Sequence, residues 1–395
     1  MQIANKTVLM RVDFNVPVQD GIVQDDARIK IPLDTVKSLQ KLGNKIVLMS
    51  HLGKTCMPCE AQSLKQVIPN VEEIYQTPVL FIDDCLSDKA PEIIKEAPKD
   101  CLILLENLRF HPEEEKCDLE FAKKLASLGD VYVNEAFSAS HRAHASLVGV
   151  PRFLPSAFGL SFKKEVQVIE DFFSKDIPSK MCLVGGTKLG TKVKLLRRLV
   201  RKVDKLALGG GIAGAFLADL NTAALKPFIP IGYEKEVEII KQCAKDYNCE
   251  LILPTDFSAL IFSGSAFEPA IISSDAQQAN IFDIGVESVK LFSEHIRKSN
   301  AFLWNGPVGL FERSPFDYGT RTLATVVAEQ TTAGKLISIL GGGDTCYAMS
   351  MFNLQDRFTH LSTAGGAFLQ YIEGTDLPGI TAIQEFQSDI IIHKF

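Results

Sequence analysis

Arg28, His51, Arg109, His141, Arg142 and His144 stand in separate polar segments of the first part of the chain, and each offers N–H donors to an anion. A guanidinium group forks toward the two oxygens of a carboxylate or phosphate, so several arginines converging on one place suit such a ligand. Any one of these residues alone is as readily a solvated arginine or a histidine satisfying a neighbour; it is their recurrence that points to a shared site. Asp13 and Asn15 add groups that recognise hydroxyls, or else a turn or helix cap. The ligand implied is small, anionic and hydroxylated.

Later in the chain the polar segments change character. Glycine clusters occur at Gly185-Gly186, Gly209 to Gly211, Gly341 to Gly343 and Gly365-Gly366. Glycine lets backbone amides approach an anion closely, and a following helix adds its partly positive N-terminus, which makes nucleotide phosphates the natural guest. Lys188 and Lys192 share a face if a helix begins there, aimed at a phosphate or simply at solvent. Asp344, directly after a glycine run, suits Mg²⁺ held by one or two carboxylates and nucleotide phosphates, or caps the helix it precedes.

Three short patterns lead elsewhere. Gly209 to Gly214 fits G-x-G-x-x-G between a strand and a helix, the fingerprint of a dinucleotide-dependent dehydrogenase, but it lies mid-chain among other glycine clusters. Gly185 to Lys192 approaches a P-loop with Thr191 before Lys192, the reverse of the required order, and is rejected. Cys56 and Cys59 form a C-x-x-C without the second pair a zinc site needs, which leaves two loop thiols.

The elements that must carry these residues alternate. Val8 to Val12, Ile46 to Ser50, Leu102 to Leu105, Val131 to Val133, Met181 to Val184, Leu206 to Leu208, Phe302 to Trp304 and Leu336 to Leu340 read as buried strands stopping at polar or glycine-rich groups. Pro32 to Leu42, Leu119 to Leu128 and Val193 to Val203 have helical apolar spacing. Such alternation predicts an α/β fold with parallel sheets, where ligands bind outside the carboxyl ends of the strands. Two layered domains of similar size are expected, with Lys163 to Phe173 as a connecting helix.

The chain has 395 residues, 46% hydrophobic and 23% charged, enough for two or three domains. A net charge of -6 and pI near 5.7 argue against nucleic acid or anionic membrane as partners. No apolar run of about eighteen residues occurs and Met1 to Val12 lacks signal-peptide order, so a cytoplasmic location is expected. The nine scattered cysteines suit a reducing compartment.

Taken together, Arg11 to Pro17 (RVDFNVP), Ser50 to Gly53 (SHLG), Glu106 to Phe110 (ENLRF), His141 to Ser146 (HRAHAS), Trp304 to Glu312 (WNGPVGLFE) and Gly341 to Thr345 (GGGDT) resemble phosphoglycerate kinase, in the family's order over nearly the whole chain. The resemblance implies two similar-sized doubly wound domains joined by a connecting helix and a returning C-terminal tail: a phosphoglycerate-binding domain at 1–160, the helix at 161–175, a nucleotide-binding domain at 176–372 and the tail at 373–395. It implies reversible phosphoryl transfer from 1,3-bisphosphoglycerate to ADP, giving 3-phosphoglycerate and ATP, in a monomer with Mg²⁺ as cofactor. Asp13, Phe14, Asn15, Arg28, His51, Leu52, Gly53, Lys54, Arg109 and Arg142 would hold the phosphoglycerate. Lys188, Lys192, Gly210, Asn305, Glu312, Gly342, Gly343, Asp344, Thr345, Gly365 and Gly366 would meet the nucleotide, with Asp344 at the metal and Arg28, Lys188 and Lys192 catalytic.

The chain departs from the family at several places. Lys54-Thr55 replaces Arg-Pro and loses a bidentate fork. Asn134 to Ser140 (NEAFSAS) replaces Asn-Asp-Ala-Phe-Gly-Thr-Ala, Ala364 replaces a glycine, and the ending Asp389 to Phe395 is unusually apolar. Lys54, Ser138 and Ala364 support the alternative of a catalytically impaired nucleotide-binding or scaffold relative.

Overall fold

Val8, Leu9 and Met10 are consecutive and all fully buried, as in a strand covered on both faces. Alternation sends Val8 and Met10 into one apolar layer and Leu9 into the other. The computed structural model to which this strand belongs describes residues 3–54, 57–217, 232–263, 266–273 and 280–386. It divides into two compact units, Met1–Gln167 with Thr375–Phe395, and Val168–Gly374.

In the first unit the strands are β1 Thr7–Arg11, the small hairpin β2 Val18–Gln19 and β3 Ile22–Val23, β4 Lys45–Met49, β5 Val79–Ile82, β6 Leu102–Leu105, β7 Val131–Asn134 and β8 Ser156–Phe158. The main sheet has the order β5-β6-β4-β1-β7-β8 with every pair parallel. One face packs Val8, Met10, Ile46, Leu48 and Leu104 with Val36, Leu39 and Val71. The other packs Leu9, Val47 and Ile103 with Phe121, Leu125 and Ile383. Ile383 belongs to the helix Pro378–Glu385, so a late segment of the chain completes this core.

Glu135, a departure from the family's aspartate, is buried beside the helix Leu160–Ser174. Its carboxylate accepts the amides of Ser161 and Phe162 at 3.0 and 3.2 Å and the Thr35 hydroxyl at 2.6 Å. These are donors a helix start leaves unpaired, and negative charge there also meets the positive end of the helix dipole. The helix extends beyond the Lys163 to Phe173 stretch at both ends.

In the second unit the strands β9 Lys180–Val184, β10 Lys205–Leu208 and β11 Glu250–Ile252 lie on one side and β15 Ala301–Asn305, β16 Ile337–Gly341 and β17 His360–Ser362 on the other, in the order β11-β10-β9-β15-β16-β17, all parallel. Between them in sequence come β12 Asp256–Ser263, β13 Ala266–Ser273 and β14 Asn280–Ile284, which form an antiparallel sheet. The parallel sheets are as expected, and this antiparallel sheet is an addition to them. Its strands mix Ser258, Glu268 and Asp283 with apolar residues, so they do not read as unbroken apolar runs.

Both main sheets reverse their order once. The chain leaves β1 toward β4 on one side and returns to β7 on the other; it leaves β9 toward β10 and returns to β15. The crevices at such reversals are where open α/β sheets bind ligands. Among the described residues no helix is long and apolar enough to cross a membrane.

Ile383→Ala is expected to destabilise the first unit by about 2–5 kcal/mol, the range for a buried aliphatic cut to alanine. Urea unfolding followed by circular dichroism checks this, and an unchanged midpoint would remove the late helix from that core.

Candidate active site

In the first unit, the end of β1 leads into Asp13, Phe14 and Asn15. Asp13 Oδ1 accepts the Asn15 amide at 3.1 Å, while Oδ2 accepts from Arg28 Nη1 at 3.1 Å and from the Ser138 hydroxyl. Burial pushes the Asp13 carboxyl up, while Arg28, the Ser138 hydrogen bond and Arg11 pull it below the usual carboxylate range. Arg28 Nη1 also meets the Asn15 carbonyl at 3.1 Å, and Asn15 Oδ1 accepts the Gly53 amide at 2.9 Å. Arg109 Nη1 donates to the Gly53 carbonyl, and its Nε lies 3.1 Å from Glu115 Oε1. The His51 to Lys54 loop is thereby held from both sides.

Asp13, Asn15, Arg28, Gly53 and Arg109 are thus linked by direct contacts, and His51 Nδ1 lies beside them, 3.9 Å from Asp13 Oδ1. Phe14 and Leu52 face the core, so only their backbone is available, and Lys54 is exposed. Arg142 is half-buried and is drawn in through charge: burial and the neighbouring Arg11 lower its pKa against the pull of Asp13. Burial, then Arg142 and Arg11, lower that of Arg109. His141 is lowered by burial and Arg142, and His144 falls to about 3 through burial and the same group of arginines. A cluster whose cations repel one another in this way receives an anion favourably.

Arg11 is the residue the sequence reading left without a role. It is fully buried, with Nε on Ser146 Oγ at 2.9 Å and Nη2 on His51 Nδ1 at 3.0 Å. A charged residue closing an otherwise apolar strand was the available signal.

The second unit builds a cavity of about 410 Å³ at the reversal between β9 and β15, lined by Gly186, Gly210, Val308, Glu312 and Asp344 among others. Its floor depends on backbone approach: the Gly185 amide donates to the Asn305 carbonyl at 3.0 Å, and a Cβ on Gly185 would lie 2.1 Å from the Pro307 carbonyl oxygen. Gly210 has φ +59 and opens the helix Gly210–Phe216. Phe257, Ile281 and Phe282 from the antiparallel sheet supply apolar wall.

Lys192 Nζ donates to Asn305 Oδ1, and Asn305 Nδ2 donates to the Gly341 carbonyl at 2.7 Å. Gly342, with φ +109, precedes the helix Gly343–Met351, whose Thr345 hydroxyl accepts the Gly306 amide at 2.8 Å. Gly365 similarly precedes the helix Gly366–Ile372.

Two readings the sequence leaves open are decided locally. Lys188 and Lys192 do not share an α-helical face: a short 3₁₀ turn, Leu189–Thr191, separates them, and the α-helix begins only at Val193. Gly190 within that stretch is a poor α-helix former. Asp344 lies inside the first turn of its helix instead of capping it, exposed on the cavity.

Asp283 was also missed, as an isolated acid in a strand. It is buried in the cavity wall, accepts the amides of Gly319 and Ile284 at 2.6 and 2.9 Å, and burial raises it to about 7. Among the described residues, Asp84, Cys85 and His111 bring three ligand atoms within 4.8 Å of one another, a softer set than Mg²⁺ takes. Cys59 is an exposed free thiol. Cys56, Thr55 and the apolar ending Asp389 to Phe395 lie outside the described residues.

A cation-lined site and a glycine-floored cavity, each at the reversal of its own parallel sheet, define a two-unit α/β enzyme acting on anionic ligands. The family model for phosphoglycerate kinase matches residues 1–375. A phosphoglycerate kinase of Bartonella quintana is 42% identical over 392 residues, 98% of each chain. Solved phosphoglycerate kinase structures from Coxiella burnetii and Pyrococcus horikoshii OT3 superpose with TM-scores of 0.84 and 0.81 at 32% and 30% identity; the first match covers 97% of this chain and 96% of the other, the second 97% of each. The chain belongs to the phosphoglycerate kinase family, and its activity is that of a phosphotransferase.

Lys192 is half-buried, and burial lowers its pKa to about 8 against the opposing charges of Glu373 and Asp344. Its amine should therefore become reactive as pH rises through about 8, which pH-dependent acylation with peptide mass spectrometry measures. A midpoint at the ordinary lysine value of about 10.4 would contradict the buried environment.

Proposed function

We propose that the first unit binds 3-phosphoglycerate or 1,3-bisphosphoglycerate, that the second binds ADP or ATP, and that a phosphoryl group passes reversibly between them. The observation that carries this is the presence, in one chain of this family, of an arginine-rich site at one sheet reversal and a glycine-floored cavity with an apolar wall at the other. The first suits a small hydroxylated acid with a phosphate; the second suits a nucleotide's phosphates and base.

No general base is needed. The nucleophile is a carboxylate in one direction and a nucleotide phosphate in the other, and both are ionised at neutral pH. Catalysis then rests on aligning the reactants and neutralising the equatorial oxygens of the transferring group. Arg28, positioned by Asp13 and Asn15, serves from the first unit; Lys188 and Lys192 serve from the second. Transfer requires the reacting oxygens to approach within about 3–3.5 Å, so the bound ligands must be brought together and shielded from water by domain closure.

Asp344 fits a magnesium site: it is a single exposed carboxylate on the cavity, and Mg²⁺ combines such a ligand with phosphate oxygens and water. When bound, the ion would neutralise phosphate charge. Glu312, which lines the same cavity, would meet the nucleotide's ribose hydroxyls. A monomer in the cytoplasm completes the proposal; the free thiols of the described cysteines suit a reducing compartment.

A coupled assay supplying 3-phosphoglycerate and MgATP tests the reaction directly. Formation of 1,3-bisphosphoglycerate is expected; nucleotide binding without product at saturating substrates would instead support the impaired-relative alternative. Lys188→Ala should lower kcat about a hundredfold or more, the scale for one lost transition-state donor. Near-wild-type turnover would remove Lys188 from the mechanism. Arg109→Ala should chiefly raise KM for phosphoglycerate, whereas a selective loss of ADP affinity would contradict the assignment of ligands to units.

A further inference from the structure

Behind the basic site of the first unit runs a line of side chains that the transfer mechanism does not use. Glu114, in the short helix Pro112–Glu115, is fully buried. Its Oε1 accepts the Ser146 hydroxyl at 2.6 Å and its Oε2 the Ser146 amide at 2.9 Å. Ser146 Oγ in turn accepts from Arg11 Nε at 2.9 Å. Arg11 Nη1 donates to the Val12 carbonyl, and Nη2 lies 3.0 Å from His51 Nδ1. His51 Nε2, at the other side of the ring, is buried and has no partner among the described residues.

The chemistry of these groups decides where the imidazole carries its proton. A guanidinium has only N–H donors and cannot accept. His51 Nδ1 must therefore present its lone pair to Arg11, and the proton of the neutral ring belongs on Nε2. A second proton on Nδ1 would break this contact. Asp13 Oδ1 is the natural partner for a charged ring, but at 3.9 Å from Nδ1 it is beyond hydrogen-bond range. Among the charges around the ring, Asp13 favours the cation; burial, Arg11, Arg109 and Arg142 oppose it and hold the pKa well below the usual histidine range.

We propose that Glu114, Ser146 and Arg11 are positioning residues that fix His51 as a neutral Nε2–H donor, so that it offers the phosphoglycerate a hydrogen bond and no charge. The functional half of this proposal rests on the phosphoglycerate assignment of the first unit. Glu114 balances the buried guanidinium through Ser146, which limits the cost of keeping Arg11 out of water. A ring held in this way binds with a strength that does not vary over the pH range in which an ordinary histidine titrates.

The direct test uses the intact ¹⁵N-labelled protein, with long-range ¹H–¹⁵N spectra of the imidazoles recorded from about pH 5 to 8 and His51 assigned through His51→Gln. The expected result is a protonated Nε2 and a bare Nδ1 at every pH. A protonated Nδ1, or titration of His51 within that window, overturns the proposal. In Arg11→Met and Ser146→Ala the ring should begin to titrate toward Asp13, and KM for 3-phosphoglycerate should fall about fivefold relative to wild type as pH drops through the new pKa, the difference between a neutral and a charge-assisted hydrogen bond. KM for ADP should not move. If Arg11→Met does not fold, Ser146→Ala decides: a ring that remains non-titrating there removes Ser146 and Glu114 from the relay. Adding 3-phosphoglycerate to the wild-type protein should shift the Nε2 signal. An unshifted signal with the expected tautomer sinks the ligand assignment alone, which keeps the two failures distinguishable.

Discussion

Arg11, Arg109 and Arg142 act on one another in a face largely withdrawn from water, and that repulsion sets the character of the first unit. It contributes, after burial, to the lowered pKa values of Arg109 and Arg142 and helps bring His144 to about 3. Histidines in such surroundings are neutral at ordinary pH, so the fixed charge is left to arginines and the rings serve as hydrogen-bonding groups. An arriving anion relieves the crowding. Attraction of this kind is local, and it operates in a chain whose net charge is -6.

The second unit handles charge differently. Its cavity is floored by backbone close enough that Gly185 has no room for a Cβ, and its wall is apolar. Lys192 adds a cation that burial has already brought down to about 8, so its proton is held less firmly than that of a surface lysine. A phosphate beside it would restore that hold. Asp283 takes the opposite course: raised to about 7 by the same kind of burial, it accepts the Ile284 amide of its own strand and the Gly319 amide, and the second bond ties the antiparallel sheet to the helix Tyr318–Thr332.

Much of this was legible in the sequence because parallel strands advertise themselves. Ile46 to Met49 and Leu102 to Leu105 are unbroken apolar runs that stop at polar groups, and a parallel sheet puts all such stops at one edge. Arg28, His51 and Arg109 could therefore be grouped before any geometry was known. Arg11 could not, because its position closing a strand gives no indication of which way its guanidinium turns. Glu114 sits in a run of acids that reads as a solvated helix start, yet only tertiary packing with Ser146, 32 positions away, buries it. Lys188 and Lys192 would share a face only with an α-helix between them, and the intervening turn is tighter. The strands β12 to β14 escaped for a related reason: their pairing across a sheet, and not their composition, makes them a wall.

Ser138 shows what a single departure does to the arithmetic of the site. Where the family resemblance has glycine, its hydroxyl donates to Asp13 Oδ2, which already accepts from Arg28, while Oδ1 accepts the Asn15 amide. A carboxylate offers about two acceptor positions on each oxygen, so Oδ2 is filled and Oδ1 retains one. His51 Nδ1 is the nearby group that would claim that position if it were protonated, at 3.9 Å. With Arg11 occupying Nδ1 instead, the ring makes no such claim on Oδ1. On the proposed reading, Ser138 narrows what Asp13 could recognise, and the buried relay behind His51 leaves Oδ1 to the ligand.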